Sequence, residues 1–166
     1  MARSYEYYKE EIKEYLKGRF NKDIKILDVG AGSGTYSDLL RDYFRNIEGV
    51  EIYKPNIEWY DLNSKYDRVY NVDICDFRYE WYDVIIFGDV IEHLEVSDAQ
   101  EVLEYARNRC EEMIVAVPYM YKQGIVDGNE HEIHKQDDLS MQNMASRYPC
   151  LKLLIGNDEY GYYIKR

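Results

Sequence analysis

Residues 26–36 constrain the fold more than any other part of the chain. A short apolar run over residues 24–29 ends abruptly in three glycines that alternate with other residues. These glycines are Gly30, Gly32 and Gly34. Apolar residues then recur at helical spacing over residues 36–44. A buried strand, a glycine turn and a helix form the first unit of a dinucleotide-type α/β fold, because glycine lets the backbone turn sharply and a ligand lie against it.

The spacing of the glycines argues against a nicotinamide dinucleotide. The dinucleotide fingerprint requires glycine where this chain has Thr35. Asp28, just before the glycines, would repel a pyrophosphate but suits a ligand that carries sulfonium and ammonium groups. Residues 27–35 resemble the first motif of the class I S-adenosylmethionine-dependent methyltransferases. The resemblance implies S-adenosylmethionine as the cofactor, bound in part by Asp28, Gly30, Gly32 and Gly34. The alternative is a glycine-rich turn with no ligand.

An acidic residue lies near the end of the next predicted strand. This strand covers residues 47–52, and Glu51 lies 21 positions beyond Gly30. Dinucleotide-type folds carry an acid at about this distance, where it accepts hydrogen bonds from ribose hydroxyls. We therefore expect Glu51 to bind the cofactor ribose. The alternative is a solvated charge at a strand end.

The third predicted strand, residues 66–72, also ends in an acidic segment. In the family that the chain resembles, an acid at this point accepts a hydrogen bond from the adenine amino group, and the next backbone N–H meets a ring nitrogen. Asp73 and Ile74 match that pattern, and Asp76 is a weaker rival. A turn acid without a ligand is the other interpretation of Asp73.

Residues 82–88 are the most apolar run of the chain, as is typical of a central parallel strand covered on both faces. The following segment, residues 89–94, resembles the acidic, histidine-containing segment that family members often have near the transferred methyl group. The resemblance makes Asp89 and His93 the candidate catalytic residues, and Asp89 also a cofactor contact. His93 would act as a general base or orient the acceptor.

The three histidines fall in two segments that both follow predicted parallel strands. His93 follows the fourth strand, and His131 and His134 lie in a long loop, residues 118–136. With nearby acids they could form an oxygen and nitrogen metal site. The pattern partly resembles metal-dependent small-RNA 2′-O-methyltransferases, although Asp89 replaces the expected glutamate. We predict no bound metal; the alternative ligand set is Glu92, His93, His131 and His134.

The order of predicted elements gives the fold class. We predict one α/β domain over residues 1–166, with a doubly wound, seven-stranded, mostly parallel sheet, an antiparallel last strand and helices on both faces. It divides into an N-terminal helical segment (1–22), a cofactor-binding core (24–135) and a C-terminal helix and hairpin (136–166). The first helix is predicted over residues 4–17, ending at Gly18.

Composition limits the partners and the compartment. The chain has 21 Lys and Arg against 32 Asp and Glu, a net charge of -11. A broad basic surface for duplex nucleic acid is therefore not expected. The three cysteines have no metal-like spacing and are interpreted as reduced thiols in a cytoplasmic protein. No apolar stretch reaches membrane-spanning length, so no membrane partner is expected.

The resemblance implies an enzyme that transfers a methyl group from S-adenosylmethionine to an oxygen or nitrogen acceptor. The acceptor can be a small molecule, a protein or RNA, since the loops that choose it carry no recognisable motif. A competing hypothesis is a non-catalytic, cofactor-binding partner subunit, because few residues follow the fifth predicted strand.

Overall fold

The computed structural model describes residues 5–166, in which seven strands form one sheet. In chain order they are β1 (Lys25–Val29), β2 (Asn46–Val50), β3 (Arg68–Tyr70), β4 (Tyr82–Gly88), β5 (Cys110–Pro118), β6 (Leu151–Gly156) and β7 (Tyr160–Lys165). They pair in the order β3-β2-β1-β4-β5-β7-β6. The first five strands pair in parallel, and β7 is antiparallel to both β5 and β6. The predicted fold class, including the antiparallel last strand and the terminal hairpin, is confirmed.

Helices connect and cover the strands. The α-helices are α1 (Lys9–Arg19), α2 (Thr35–Leu40), α3 (Lys54–Trp59), α4 (Leu62–Lys65), α5 (Val96–Arg107) and α6 (Met141–Arg147). Short 3-10 turns occur at Ile91–His93 and Glu130–Glu132. Within residues 5–166, no helix combines the length and the apolar character that a membrane span requires.

The first helix differs from its predicted bounds at both ends. It begins at Lys9 because Tyr8, its N-terminal cap, has a left-handed backbone with φ of 57°. It continues through Gly18 to Arg19, so the prediction that Gly18 ends the helix is wrong. A side chain at Gly18 would meet no atom within 4 Å. Gly18 also lacks the positive φ with which a glycine ends a helix. Residue 4, where the helix was predicted to start, lies outside the described residues.

Each face of the sheet has its own hydrophobic core, as a doubly wound fold requires. Side chains of a strand alternate between the faces. Ile85 and Phe87 of β4 pack in the core under α5 and α6, whereas Val84 and Ile86 pack in the core under α1 and α2. All four are fully buried. The almost continuous apolar run of β4 thus reflects burial on both sides.

The parallel strands bring chemically important segments to one edge of the sheet. Because β1 to β5 run in the same direction, the residues that follow them all emerge at the carboxyl edge. The chain moves outward from β1 to β2 and β3, and in the opposite direction to β4 and β5. The crevice between β1 and β4 is therefore the switch point at which ligands bind in this class of fold.

Candidate active site

A cavity of about 550 Å³ opens at the carboxyl edge of the sheet. Its volume is typical of small-molecule sites. Most residues singled out from the sequence line it: Gly30, Gly32, Glu51, Asp73, Ile74, Asp89, Glu92, His93, His131 and His134. Three others, Asp28, Gly34 and the rival Asp76, are not among the described residues of its lining. The edge thus brings together residues that are more than 100 positions apart in the chain.

The glycine turn is tied to β2 and leaves open space at one position. The backbone N–H groups of Gly30 and Ala31 both donate to Val50 O at 2.9 Å. A Cβ at Gly30 would lie 2.6 Å from Val90 Cγ2, so packing excludes a side chain there. At Gly32, which has φ of 52°, the nearest atom to an added Cβ would be 3.7 Å away. The backbone at Gly32 therefore faces space that a ligand can fill.

Glu51 is buried directly beneath this turn. Its side chain is 4% exposed. Oε2 accepts a hydrogen bond from the Gly32 N–H at 2.8 Å, and Oε1 accepts one from the Tyr53 N–H at 2.7 Å. Burial raises the pKa of Glu51, and these N–H donors oppose the rise. A carboxylate has about four acceptor positions, so Glu51 can still accept a hydrogen bond from a ribose hydroxyl.

Asp73 and Ile74 lie at the far side of the cavity, after β3. Asp73 Oδ1 accepts a hydrogen bond from the Cys75 N–H at 2.9 Å, which fixes the turn. Ile74 is buried against the core, whereas the rival Asp76 is exposed. Of the two acids, Asp73 is the one that borders the cavity.

Asp28 lies below the glycine turn rather than in the cavity wall. Its Oδ2 accepts a hydrogen bond from the Tyr66 hydroxyl, and Oδ1 has no hydrogen-bond partner among residues 5–166. Burial raises the pKa of Asp28 to about 7; the bond from Tyr66 opposes the rise, and the charge of Glu51 adds to it. Direct contact between Asp28 and a cofactor stays a prediction.

Asp89 is held in position by the antiparallel strand. Its backbone has φ of 56°, and its N–H donates to Ala116 O at 3.0 Å. Its Oδ1 accepts a hydrogen bond from the Tyr160 hydroxyl of β7 at 2.6 Å. The carboxylate therefore borders the cavity next to the end of β4.

Glu92, His93 and His134 form a compact cluster. One potential ligand atom from each lies within 4.8 Å of the others. The imidazole rings of His93 and His134 are 4.7 Å apart. The loop reaches the turn because the Lys135 and Gln136 N–H groups donate to Glu92 O at 2.9 and 3.0 Å. His131 lines the cavity but lies outside this group of the described residues.

Burial disfavours the charged form of each side chain in the cluster. Glu92 is fully buried, and in the described part of the chain neither carboxyl oxygen has a hydrogen-bond partner. Burial raises its pKa well above the usual range, and the charge of Asp89 raises the pKa further. Burial lowers the pKa of His93 to about 4, with a contribution from His134, and burial also lowers the pKa of His134.

The hydrogen bonds of the two imidazoles define what they offer to a ligand. His134 Nδ1 lies 2.8 Å from Tyr121 O, and His93 Nδ1 lies 3.4 Å from Ile133 O. Because a carbonyl oxygen can only accept a hydrogen bond, each neutral ring carries its proton on Nδ1. The lone pair on Nε2 is then the acceptor. The cluster can accept a proton from a bound hydroxyl or amine, or it can ligate a metal ion.

Two tyrosines of the cavity wall carry no motif and were missed in the sequence. Tyr5 precedes the first helix, and Tyr121 follows β5 in the long loop. The one signal in the sequence was the repeated tyrosine near both positions. That signal did not distinguish them from the tyrosines of the core.

Comparison with known proteins gives a family and a fold. A family model described as a methyltransferase domain matches residues 1–117. No curated protein matches the sequence significantly.

Solved methyltransferases with low sequence identity share the architecture. An S-adenosylmethionine-dependent methyltransferase from Clostridium acetobutylicum is 12% identical, with a TM-score of 0.70 over 95% of this chain and 89% of that one. The 1,6-didemethyltoxoflavin-N1-methyltransferase from Burkholderia thailandensis, solved with 1,6-didemethyltoxoflavin and S-adenosylhomocysteine, is 14% identical, with a TM-score of 0.71 over 97% and 78%. Magnesium protoporphyrin IX methyltransferase from Synechocystis, with bound S-adenosylmethionine, is 12% identical, with a TM-score of 0.67 over 95% and 78%.

Proposed function

The chain belongs to the methyltransferase domain family, and we propose that its cavity binds S-adenosylmethionine for methyl transfer to an oxygen or nitrogen acceptor. One observation carries the proposal for the site. The open backbone at Gly32 and the buried carboxylate of Glu51 are joined by a hydrogen bond at the switch point of the sheet. This pair offers both a surface and a charged acceptor to a nucleoside.

The proposed cofactor contacts follow the order of the strands along the carboxyl edge. Glu51 accepts hydrogen bonds from the ribose hydroxyls, Asp73 accepts from the adenine amino group, and the Ile74 N–H donates to the ring. At the other end, Asp89 supplies negative charge beside the methionine portion. When bound, S-adenosylmethionine supplies a methyl group on a sulfonium that leaves as a neutral thioether. An acidic lining suits that cation.

His93 is the proposed catalytic residue of the acceptor end. Its Nε2 lone pair accepts a hydrogen bond from the acceptor hydroxyl or amine and orients the nucleophile. A proton is transferred to it only when the acceptor keeps its proton until the reaction. The free thiols of the protein support a reducing, cytoplasmic compartment. Cys75 lies at the surface, and the other two thiols are less exposed.

Calorimetry with the purified protein tests this function. It should bind S-adenosylmethionine and S-adenosylhomocysteine, and both more tightly than NAD. His93→Ala should lower turnover in a methylation assay with the acceptor while leaving the affinity for S-adenosylhomocysteine near that of the parent. Binding of NAD alone would contradict the assignment. Cofactor binding without methylation of any acceptor would favour the non-catalytic partner subunit.

A second candidate is metal-dependent methyl transfer, in which Glu92, His93 and His134 hold a divalent ion. The observation that favours it is the geometry of the cluster, with the Nδ1 atoms of both imidazoles facing backbone carbonyls, as metal-ligating histidines commonly do. Elemental analysis decides between the two. A metal enzyme should hold about one ion per chain and lose it in Glu92→Gln and in His134→Ala. Turnover that survives a chelator would support the metal-free reaction.

A further inference from the structure

Four aromatic rings form one continuous side of the cavity at its acceptor end. We call this side the aromatic wall; it consists of Tyr5, Tyr121, His134 and His93. The ring centroids are 6.1 Å apart for Tyr5 and Tyr121, 5.5 Å for Tyr121 and His134, and 4.7 Å for His134 and His93. The wall thus leads from the mouth of the cavity to the proposed proton acceptor.

The outer rings of the wall are fixed in place, and Tyr121 also stays open to solvent. Tyr7 stacks on Tyr5 at 5.6 Å with an interplanar angle of 12°, and Tyr160 contacts Tyr5 at 5.3 Å. The carbonyl of Tyr121 lies 2.8 Å from His134 Nδ1, which holds that part of the loop. Even so, Tyr121 is 43% exposed. Tyr121 meets its neighbours edge to face, at interplanar angles of 85° to Tyr5 and 67° to His134. Its ordered ring beside the open cavity offers a face for stacking, and little conformational entropy is lost on binding.

The charge of the cavity restricts what can stack there. Besides the fully buried Glu92, its lining contains the acids Glu51, Asp73, Asp89, Glu130 and Glu132. Lys135 is the one lysine among the described lining residues. An anionic acceptor would meet repulsion from this lining, whereas a neutral or cationic one would not. Tyrosine faces also attract cations.

We propose, on the basis of the methyl transfer proposed above, that the acceptor is a neutral or cationic small molecule whose planar aromatic ring stacks on the aromatic wall. The ring carries the accepting hydroxyl or amine. For a hydroxyl, its oxygen forms the bond to the methyl carbon as the methyl–sulfur bond breaks and its electron pair returns to sulfur. The hydroxyl proton passes to Nε2 of His93 and from there to water.

A matched set of probes tests both parts of the inference. Tyramine and 4-hydroxyphenylacetate share a phenol ring but carry opposite charges, and 4-(2-aminoethyl)cyclohexanol keeps the amine without the planar ring. Each is titrated into the full chain saturated with S-adenosylhomocysteine, with protein NMR signals as the readout. Tyramine should bind about tenfold more tightly than either of the other two. Equal binding, preference for the carboxylate, or no tyramine binding at millimolar concentration would overturn the inference.

Variants locate the binding surface. Tyr121→Ala should weaken tyramine binding by about five- to tenfold, and Tyr121→Phe should restore it, because the ring and not the hydroxyl stacks. Neither should change the affinity for S-adenosylhomocysteine. Tyr105→Ala is the control, since Tyr105 is a partly exposed tyrosine on α5 outside the cavity. If Tyr121→Ala and Tyr105→Ala weakened tyramine binding equally, the proposal would be contradicted. If the parent does not bind S-adenosylhomocysteine, the proposed function itself is contradicted.

Discussion

At the scale of single residues, the Glu51 carboxylate accepts one hydrogen bond from the Gly32 N–H of the glycine turn and one from the Tyr53 N–H after β2. Glu51→Ala should weaken the binding of S-adenosylhomocysteine by about 1 to 3 kcal/mol, because ribose hydroxyls lose a charged acceptor. Asp73→Ala should weaken binding less, since the Ile74 N–H can still donate to the adenine ring. Calorimetry measures both, with the exposed Glu58→Ala of α3 as the control. Unchanged affinity in the Glu51 and Asp73 variants would show that the cofactor site is wrongly assigned.

Asp28 should make stability depend on pH in a definite direction. Its pKa is about 7 in the folded protein, above its usual value in an unfolded chain. The folded state therefore binds this proton more tightly, and the stabilisation is present in full below about pH 4 and lost as the pH rises through about 7.

The free energy of unfolding of the parent should thus fall by a few kcal/mol relative to Asp28→Asn between about pH 4 and pH 8. Denaturant titrations at several pH values measure this difference. Asp76→Asn, which makes the same change at an exposed position, is the matched control. A constant difference between the parent and Asp28→Asn would contradict the raised pKa.

At the scale of elements, the turn at Ile91–His93 depends on a buried side chain from the long loop. Gln136 is 3% exposed, and its Nε2 donates to Ile91 O at 2.7 Å and to Leu94 O at 3.1 Å. Gln136→Leu should lower the free energy of unfolding by about 1 to 3 kcal/mol, because it leaves buried carbonyls without donors. It should also shift the NMR signals of the His93 imidazole.

Gln142→Leu, at an exposed position of α6, is the matched control for this prediction. Neither variant should change the affinity for S-adenosylhomocysteine, because the turn lies at the acceptor end. Equal stability of the two variants would show that Gln136 does not hold the turn.

The glycine turn gives a second prediction at this scale. Gly32 and Gly128 both have a positive φ, of 52° and 77°, and both have open space where a Cβ would lie. Leucine at either position carries the same kind of backbone strain. Gly32→Leu should abolish the binding of S-adenosylhomocysteine in calorimetry, whereas Gly128→Leu should retain it. Similar losses in both would mean that strain, and not occupation of the cavity, is responsible.

At the scale of the whole molecule, the net charge of -11 favours association with cations. S-adenosylmethionine carries one more positive charge than S-adenosylhomocysteine. Raising the salt concentration should therefore weaken the binding of S-adenosylmethionine several-fold and leave that of S-adenosylhomocysteine almost unchanged. Calorimetry over a salt series measures the two slopes. If the affinities for both ligands changed equally with salt concentration, the electrostatic field of the protein would not contribute to cofactor recognition.

The sequence by itself determined the fold class and the edge of the sheet where most of the candidate site residues lie. Alternating apolar patterns and the glycine turn specify local structure, and parallel strands must bring their carboxyl ends to one edge. For that reason Gly30, Gly32, Glu51 and Asp73 could be assigned to one site without coordinates. Helix ends were less certain, as the start of α1 at Lys9 shows, because the left-handed backbone of Tyr8 has no local sequence signal.

Only the tertiary structure decided which side chains meet across long sequence separations. The hydrogen bond from Tyr160 to Asp89, the meeting of His134 with His93, and the exclusion of His131 from their cluster all depend on how the long loop and β7 pack. The burial of Asp28 below the turn, rather than in the cavity wall, has the same origin. Burial and protonation state are properties of the packed surroundings, and spacing along the chain does not encode those surroundings.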